Sequence, residues 1–261
     1  VLGCEHAFAM LEVHVSCTGS YREFAPPPDL AGYIRCFWRR EVGTIEAQQP
    51  IRVFPDGCMD LLWMHDQVLV AGPDTVAWQR RLPAGSIIHG VRFHPGVTAT
   101  LLDLKPGELL NDRAPAELFT GRWASDMSER LHGAGECNQH VFEDALRERL
   151  RHARAVDPLV REAVRLAIHD PGVAVSGIAS TLAISERHLH RRATDALGYG
   201  MKRFIGIIRL QRAISLSQSG HLPTISDLAI AAGYADQAHL TREMRRMTGL
   251  TPAMLLGNQR R

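Results

Sequence analysis

The strongest constraint on how this chain folds is a pattern written twice near its C-terminal end. One copy runs Ser176-Gly-Ile-Ala-Ser-Thr-Leu-Ala-Ile-Ser-Glu-Arg-His-Leu-His-Arg-Arg-Ala-Thr-Asp-Ala-Leu-Gly198. The other runs Ser226-Asp-Leu-Ala-Ile-Ala-Ala-Gly-Tyr-Ala-Asp-Gln-Ala-His-Leu-Thr-Arg-Glu-Met-Arg-Arg-Met-Thr-Gly249. Ser176 and Ala179 recur as Ser226 and Ala229 at an offset of 50, whereas Leu189 and Gly198 recur as Leu240 and Gly249 at 51. The extra residue falls between the two halves of the unit, where a turn absorbs it. Each copy reads as a short helix, a tight turn and a second helix ended by glycine, the layout of a helix-turn-helix. Two such units in tandem offer two recognition helices to one DNA duplex.

Charge is distributed to match. The whole chain carries 30 Lys and Arg against 28 Asp and Glu, which by itself implies no polyanionic partner. Divided at Pro158, residues 158–261 hold 14 basic and 7 acidic side chains, and residues 1–157 hold 16 and 21. A basic C-terminal part behind an acidic N-terminal part fits a chain of which only one part meets phosphates. At 261 residues and 45% hydrophobic content, two cores of ordinary size are affordable. No apolar run approaches the roughly 20 residues that cross a bilayer, so a membrane partner is not expected. The segment Val1 to Leu11 is interrupted by Glu5 and His6 and lacks a basic lead, so it does not read as a secretory signal. Cys4, Cys17, Cys36, Cys58 and Cys137 are odd in number and form no C-x-x-C pair, which suits a reducing cytoplasm.

The expected fold class is α+β: a small N-terminal β-barrel or sandwich with flanking helices over residues 1–157, then an all-α part over 158–261. Residues 1–25 read as weakly structured or edge-like, and Pro26-Pro-Pro28 is a stiff lead-in. Tyr33–Trp38, Ile51–Phe54, Met59–Trp63, Val68–Ala71 and Ile87–Phe93 read as strands, separated by Pro55-Asp-Gly57, Gly72-Pro-Asp74, Pro83-Ala-Gly85 and Pro95-Gly96. Thr98–Leu104 and Asp126–Ala155 read as helices. In the latter, Phe142, Leu146 and Leu150 form an apolar stripe flanked by both charge signs, which predicts helix pairing across a two-fold axis. Asp157-Pro158 opens an amphipathic helix stopped at Asp170-Pro-Gly172. A long helix from about Met201 to Gln218, roughly 27 Å in length, joins the two units and suits recognition helices about one duplex turn (~34 Å) apart.

Within each unit an apolar stripe must pack the second helix on the first. Leu189, Ala193 and Leu197 serve in one copy, and Leu240, Met244 and Met247 in the other. The opposite faces hold Arg187, His188, His190 and Arg191, and Gln237, His239, Arg242 and Arg246, residue types that read base edges. His188 lies nearer the packing side. Arg192, Lys202, Arg203 and Arg245 read as phosphate contacts or surface charges.

The run Gly233-Tyr-Ala-Asp-Gln-Ala-His-Leu-Thr-Arg-Glu-Met-Arg-Arg-Met-Thr-Gly-Leu-Thr-Pro252 resembles the signature of AraC/XylS-type transcriptional regulators, with a Gly-aromatic turn, a recognition helix and Gly-x-Thr-Pro. The resemblance spans about residues 158–257. It implies base-facing roles for Arg187, His190 and Arg191 in the first unit and for Gln237, Ala238, His239 and Arg242 in the second. Ala193 stands where the family has a large apolar residue and Met201 where it often has proline, which implies a looser first unit. Ala238 implies one base-reading side chain fewer. The stretches Leu30–Trp38, Pro55–Trp63 and Gly90–Gly96 resemble a β-rich domain that precedes this module in some members and there binds effectors or mediates dimerisation. The expected function is an effector-responsive, sequence-specific regulator and not an enzyme. Its expected partners are double-stranded promoter DNA, a small-molecule effector, RNA polymerase and a second copy of the chain, with no cofactor.

Trp38, Trp63, Trp78, Asp60 and Arg92 are the candidate effector residues, since small-ligand sites combine aromatic walls with a few charges. The competing reading fills the core with the tryptophans and pairs Asp60 with Arg92. A metal- or thiol-sensing regulator is the alternative function, with Cys36, Cys58, His65, His89 and His94 as ligands. His89 and His94 are an odd number of positions apart, which on a strand puts them on opposite faces, and no quartet has ligand spacing. A cupin-like enzyme would need a His-x-His and carboxylate cluster that the chain lacks.

Overall fold

The computed structural model describes residues 19–134, 138–219 and 224–257. The reading of Val1–Leu11, the cysteines Cys4, Cys17 and Cys137, and Gly220 and Pro223, which by residue type break the long helix after Gln218, lie outside them. Among the described residues the N-terminal half has eight strands: β1 Ser20–Phe24, β2 Ile34–Glu41, β3 Ile51–Val53, β4 Asp60–Met64, β5 Gln67–Ala71, β6 Trp78–Arg80, β7 Ile87–Phe93 and β8 Arg113–Pro115. Six of them make an antiparallel sheet in the order β1-β2-β7-β4-β5-β8, and β3 pairs with β6 in a separate ribbon. The strands therefore form an open sandwich and do not close into a barrel.

Alternation assigns the two faces of the large sheet. Leu61, Trp63, Val68, Val70, Val91 and Phe93 point toward α3 (Arg122–Gly133) and α4 (Asn138–Leu150), burying Met127, Leu131, Phe142 and Leu146. Trp38, Leu62, Met64, Leu69 and Ile88 face the β3–β6 ribbon. In β2 both Ile34 and Phe37 reach the helix side, because a register shift between Ile34 and Cys36 moves the alternation by one residue. Phe142 and Leu146 are 1% and 0% exposed, so the stripe expected to pair two subunits covers this chain's own sheet. The pattern cannot tell a helix partner from a sheet, since both accept an apolar face.

The remaining helices are α1 Thr98–Leu101 and α2 Glu117–Thr120 in the N-terminal half, then α5 Pro158–His169, α6 Val175–Thr181, α7 Glu186–Leu197, α8 Met201–Ser219, α9 Ile225–Ala231, α10 Gln237–Thr248 and α11 Pro252–Gly257. Asp157 caps α5, its Oδ1 accepting from the Leu159 and Val160 amides, while Pro158 supplies the first helical residue. α8 is apolar nearly all round, with Phe204, Ile207, Leu210, Ala213 and Ile214 buried, as befits the central post of a helical core. Phe54 of the β-rich half enters that core. Among the described residues no helix is long and apolar enough to cross a membrane.

Candidate nucleic-acid interface

The two helix pairs are built by the same local devices. Ser185 Oγ accepts from the His188 amide at the start of α7, and Asp236 Oδ1 accepts from the His239 amide at the start of α10. Gly198 and Gly249 end the two helices in the left-handed conformation. Helices α6 and α9 start at an offset of 50 and α7 and α10 at 51, so the additional residue does sit in the second turn. Each turn also needs one positive-φ residue. The second unit uses Gly233 (φ +87), and the first uses Ala183 (φ +51). Ala193 and Met201 are both buried in the helical core. The first pair is the less closely packed of the two, as expected, while α1 and the turn at Pro106–Leu109 close against α7 from outside it.

Leu189, Ala193 and Leu197, and Leu240, Met244 and Met247, are the buried faces. Opposite them Arg191 and Arg242 occupy the same position of the repeat, both exposed and both without an ion pair among the described residues. Arg187, His190, Gln237, Arg245, Lys202 and Arg203 are also exposed. His239 is half-buried, its ring edge-on to Tyr234 at 5.3 Å, and Gln237 Oε1 accepts from Ser226 Oγ at 3.0 Å. Arg246 is salt-bridged at 2.7 Å to Glu243, whose carboxyl that guanidinium holds below the usual range.

Arg192 departs from its expected role as a phosphate contact. Its Nη1 donates to Asp157 Oδ2 at 2.6 Å and its Nε to His188 Nε2 at 2.7 Å, so the side chain ties α7 to the cap of α5. His188 is held on the packing side as its position implied. The 35-residue separation of Arg192 and Asp157 hides this pair from sequence reading. The Glu243–Arg246 pair, by contrast, is visible as an i, i+3 spacing on a helix.

In the β-rich half, Arg92 Nε and Nη2 donate to the two Asp60 oxygens at 3.1 and 2.8 Å, and Trp38 Nε1 donates to Asp60 Oδ2 at 3.1 Å. Burial pushes the Asp60 carboxyl up, against the pull of Arg92. Trp38, Asp60, Trp78 and Arg92 all line a cavity of about 90 Å³ between the large sheet and the β3–β6 ribbon. Trp63 does not. It lies on the odd-numbered face of β4 and packs toward the helices. Trp38 lies so close over Gly90 that a Cβ there would sit 2.2 Å from the indole. Cys36 and Cys58 are buried, and burial pushes the Cys36 thiol up to about 12 and the Cys58 thiol up as well. Such thiols are inert. Among the described residues no three His, Cys, Asp or Glu side chains gather in a metal-binding group.

Two helix pairs around a shared central helix, with a capped second helix and exposed arginines on it in each, define a helix-turn-helix protein. Residues 178–257 match a helix-turn-helix domain family, and residues 22–115 match a domain of unknown function, DUF6597. An uncharacterized HTH-type transcriptional regulator of Staphylococcus aureus (strain MSSA476) is 27% identical over 97 residues, which are 37% of this chain. The chain spans 13% of the length of that curated relative. Among solved structures, a probable AraC family transcriptional regulator from Rhodopseudomonas palustris CGA009 is 24% identical, covering 40% of this chain and 98% of that one with a TM-score of 0.36. ToxT from Vibrio cholerae O395 is 13% identical, covering 80% of this chain and 93% of that one with a TM-score of 0.45. The chain carries a helix-turn-helix domain at residues 178–257 behind a β-rich DUF6597 domain at residues 22–115.

Proposed function

We propose that this protein is a sequence-specific regulator in which α7 and α10 each enter a major-groove segment of one duplex and the β-rich half responds to a small-molecule effector. The observation that carries the reading is the equivalence of Arg191 and Arg242: same repeat position, opposite the buried stripe, exposed, and without an ion pair among the described residues. A guanidinium so placed is available for bidentate pairing with guanine. Arg187, His190, Gln237, His239 and Arg246 contribute around it, the last three after release from Ser226, Tyr234 and Glu243. Lys202, Arg203 and Arg245 neutralise phosphates.

The reading divides the chain at residues 157 and 158, and places it in the cytoplasm beside RNA polymerase as a homodimer. Phe142 and Leu146 being internal, another surface would join the two copies; sedimentation equilibrium tests the dimer. The decisive experiment selects duplexes from a random pool with the whole chain and measures affinity for the winners against scrambled DNA over a salt series. A steep fall in affinity with salt and a clear preference for the selected duplex are expected. Failure to bind any duplex at low salt would overturn the reading. Arg191→Ala and Arg242→Ala should each narrow the preference by about 1–3 kcal/mol, while Arg245→Ala weakens all duplexes alike.

A further inference from the structure

We infer that the DNA interface extends beyond the helix pairs, into a groove walled by α7, by α1 of the β-rich half and by the linker that precedes Asp157. One sugar-phosphate strand of the duplex runs in it, drawn by Arg154 and opposed by Asp103. The inference rests on the regulator reading above and adds residues outside the helix-turn-helix domain to its DNA contact.

The groove exists because three pieces of chain are fixed side by side. A Cβ on Gly96, just ahead of α1, would lie 3.4 Å from a Val160 methyl and 3.7 Å from a Leu197 methyl, so the entry to α1 rests on α5 and α7. Arg149 Nε donates to the Leu101 carbonyl at 3.0 Å, tying α1 to the end of α4. The Arg192–Asp157 pair holds the far end of the linker beside α7. Between them is a groove of about 430 Å³, lined by Thr100 and Asp103, by Arg154, and by Arg191 and Asp195 of α7.

Its occupant follows from Arg191, which lines the groove and also lies opposite the buried stripe. A helix with its side chains is about 10–12 Å across and the major groove of B-DNA is about 12 Å wide. A helix that reads base edges therefore has a phosphate ridge along each flank. The groove follows one flank of α7. With Arg191 turned to a base, a strand there meets Arg154, Asp103 and Asp195, all exposed and without an ion pair among the described residues. Arg192 adds little, since Asp157 already meets its charge. Arg154 thus attracts the strand against two carboxylates, and removing either sign of charge should move affinity in opposite directions. None of these charges touches a base, so every sequence should feel them alike.

The test uses the full chain and a duplex selected by it, over a salt series. Arg154→Gln should bind selected and scrambled duplexes about fivefold more weakly and lower the salt slope by about one. Asp103→Asn should bind both about threefold more tightly, since asparagine tolerates the left-handed backbone that Asp103 holds at φ +52. Arg122→Gln, on α3 and outside the groove, should change neither. Ethylating single phosphates separates contact from a diffuse field. One phosphate beside the base pair whose preference Arg191→Ala relaxes should, when ethylated, weaken the parent and leave Arg154→Gln unaffected. The absence of such a phosphate overturns the inference, as does an equal loss in Arg154→Gln and Arg122→Gln. An Asp103→Asn protein that binds no tighter overturns the part given to α1. If the parent binds no duplex at low salt, the regulator reading fails and takes this inference with it. Binding by the parent that Arg154→Gln leaves unaltered overturns this inference alone.

Discussion

The two helix-turn-helix units each have a side-chain cap on the second helix, a left-handed glycine stop and an exposed arginine at the same position, yet they live in different surroundings. At the end of α7, a Cβ on Gly198 would meet the backbone of Pro106 and Gly107 at 2.9 and 3.0 Å. At the equivalent Gly249 nothing lies within 4 Å. Arg192 in the first unit is bonded to Asp157 in another helix, whereas its counterpart Glu243 bonds only to Arg246 in its own. The duplicated residues determine what is local: helix length, caps and the packing of one helix on its mate. Burial beyond that is decided by the other half of the chain, which presses on the first unit and touches the second mainly through Ala77 and Met247.

The widest gap should separate Gly198→Ala from Gly249→Ala. Both add the strain of a left-handed alanine, about 1–2 kcal/mol, but only the first also collides with neighbouring backbone. Urea unfolding of the whole chain should show a loss of about 3 kcal/mol or more for Gly198→Ala and about half that for Gly249→Ala. Equal losses would show that the two ends are equally free.

The next contrast is between adjacent arginines. Arg191→Ala and Arg242→Ala should leave stability within about 0.5 kcal/mol of the parent while lowering DNA preference. Arg192→Ala should do the reverse, costing about 0.5–1 kcal/mol of stability through the part-exposed pair with Asp157 and leaving the preference for the selected duplex intact. A loss of preference in Arg192→Ala would restore it to the DNA-contacting set.

The smallest effect tests the turns. Ala183 holds a positive φ that Gly233 supplies without strain in the other copy. Ala183→Gly should therefore stabilise the first unit by about 0.5–1 kcal/mol, the strain relieved exceeding the entropy lost by glycine. A destabilised variant would mean that the alanine methyl packs well enough to outweigh its backbone cost.

What could be read from the sequence was what repeats or alternates. The helix pairs, their buried stripes and the five main strands follow from periodicity. β1 was legible only as an edge-like stretch, which is its place in the sheet, because Ser20–Phe24 carries Arg22 and Glu23; β6 and β8, three residues long each, were not readable as strands. They are strands because β2, β3 and β5 offer them partners. Trp38, Asp60, Trp78 and Arg92 line the cavity, and of these Asp60 and Arg92 were legible as a pair by their opposite charge alone. Trp63 stands an odd number of positions from Asp60 in β4, so strand alternation sends it to the helix face instead. The segment 72–77 carried only turn residues, and nothing in a turn announces which distant helix it will touch.

The unbroken course of α8 has a consequence for how such a chain can diverge. Each residue inserted within it would swing α9 and α10 by about 100° around its axis while advancing them by only about 1.5 Å. A single insertion therefore leaves Arg242 almost where it was in height but facing a different way from Arg191. Only changes of three or four residues, close to a whole turn, return the two side chains to a common bearing. Length variation in this helix is confined to coarse steps, and intermediate lengths are expected to be purged.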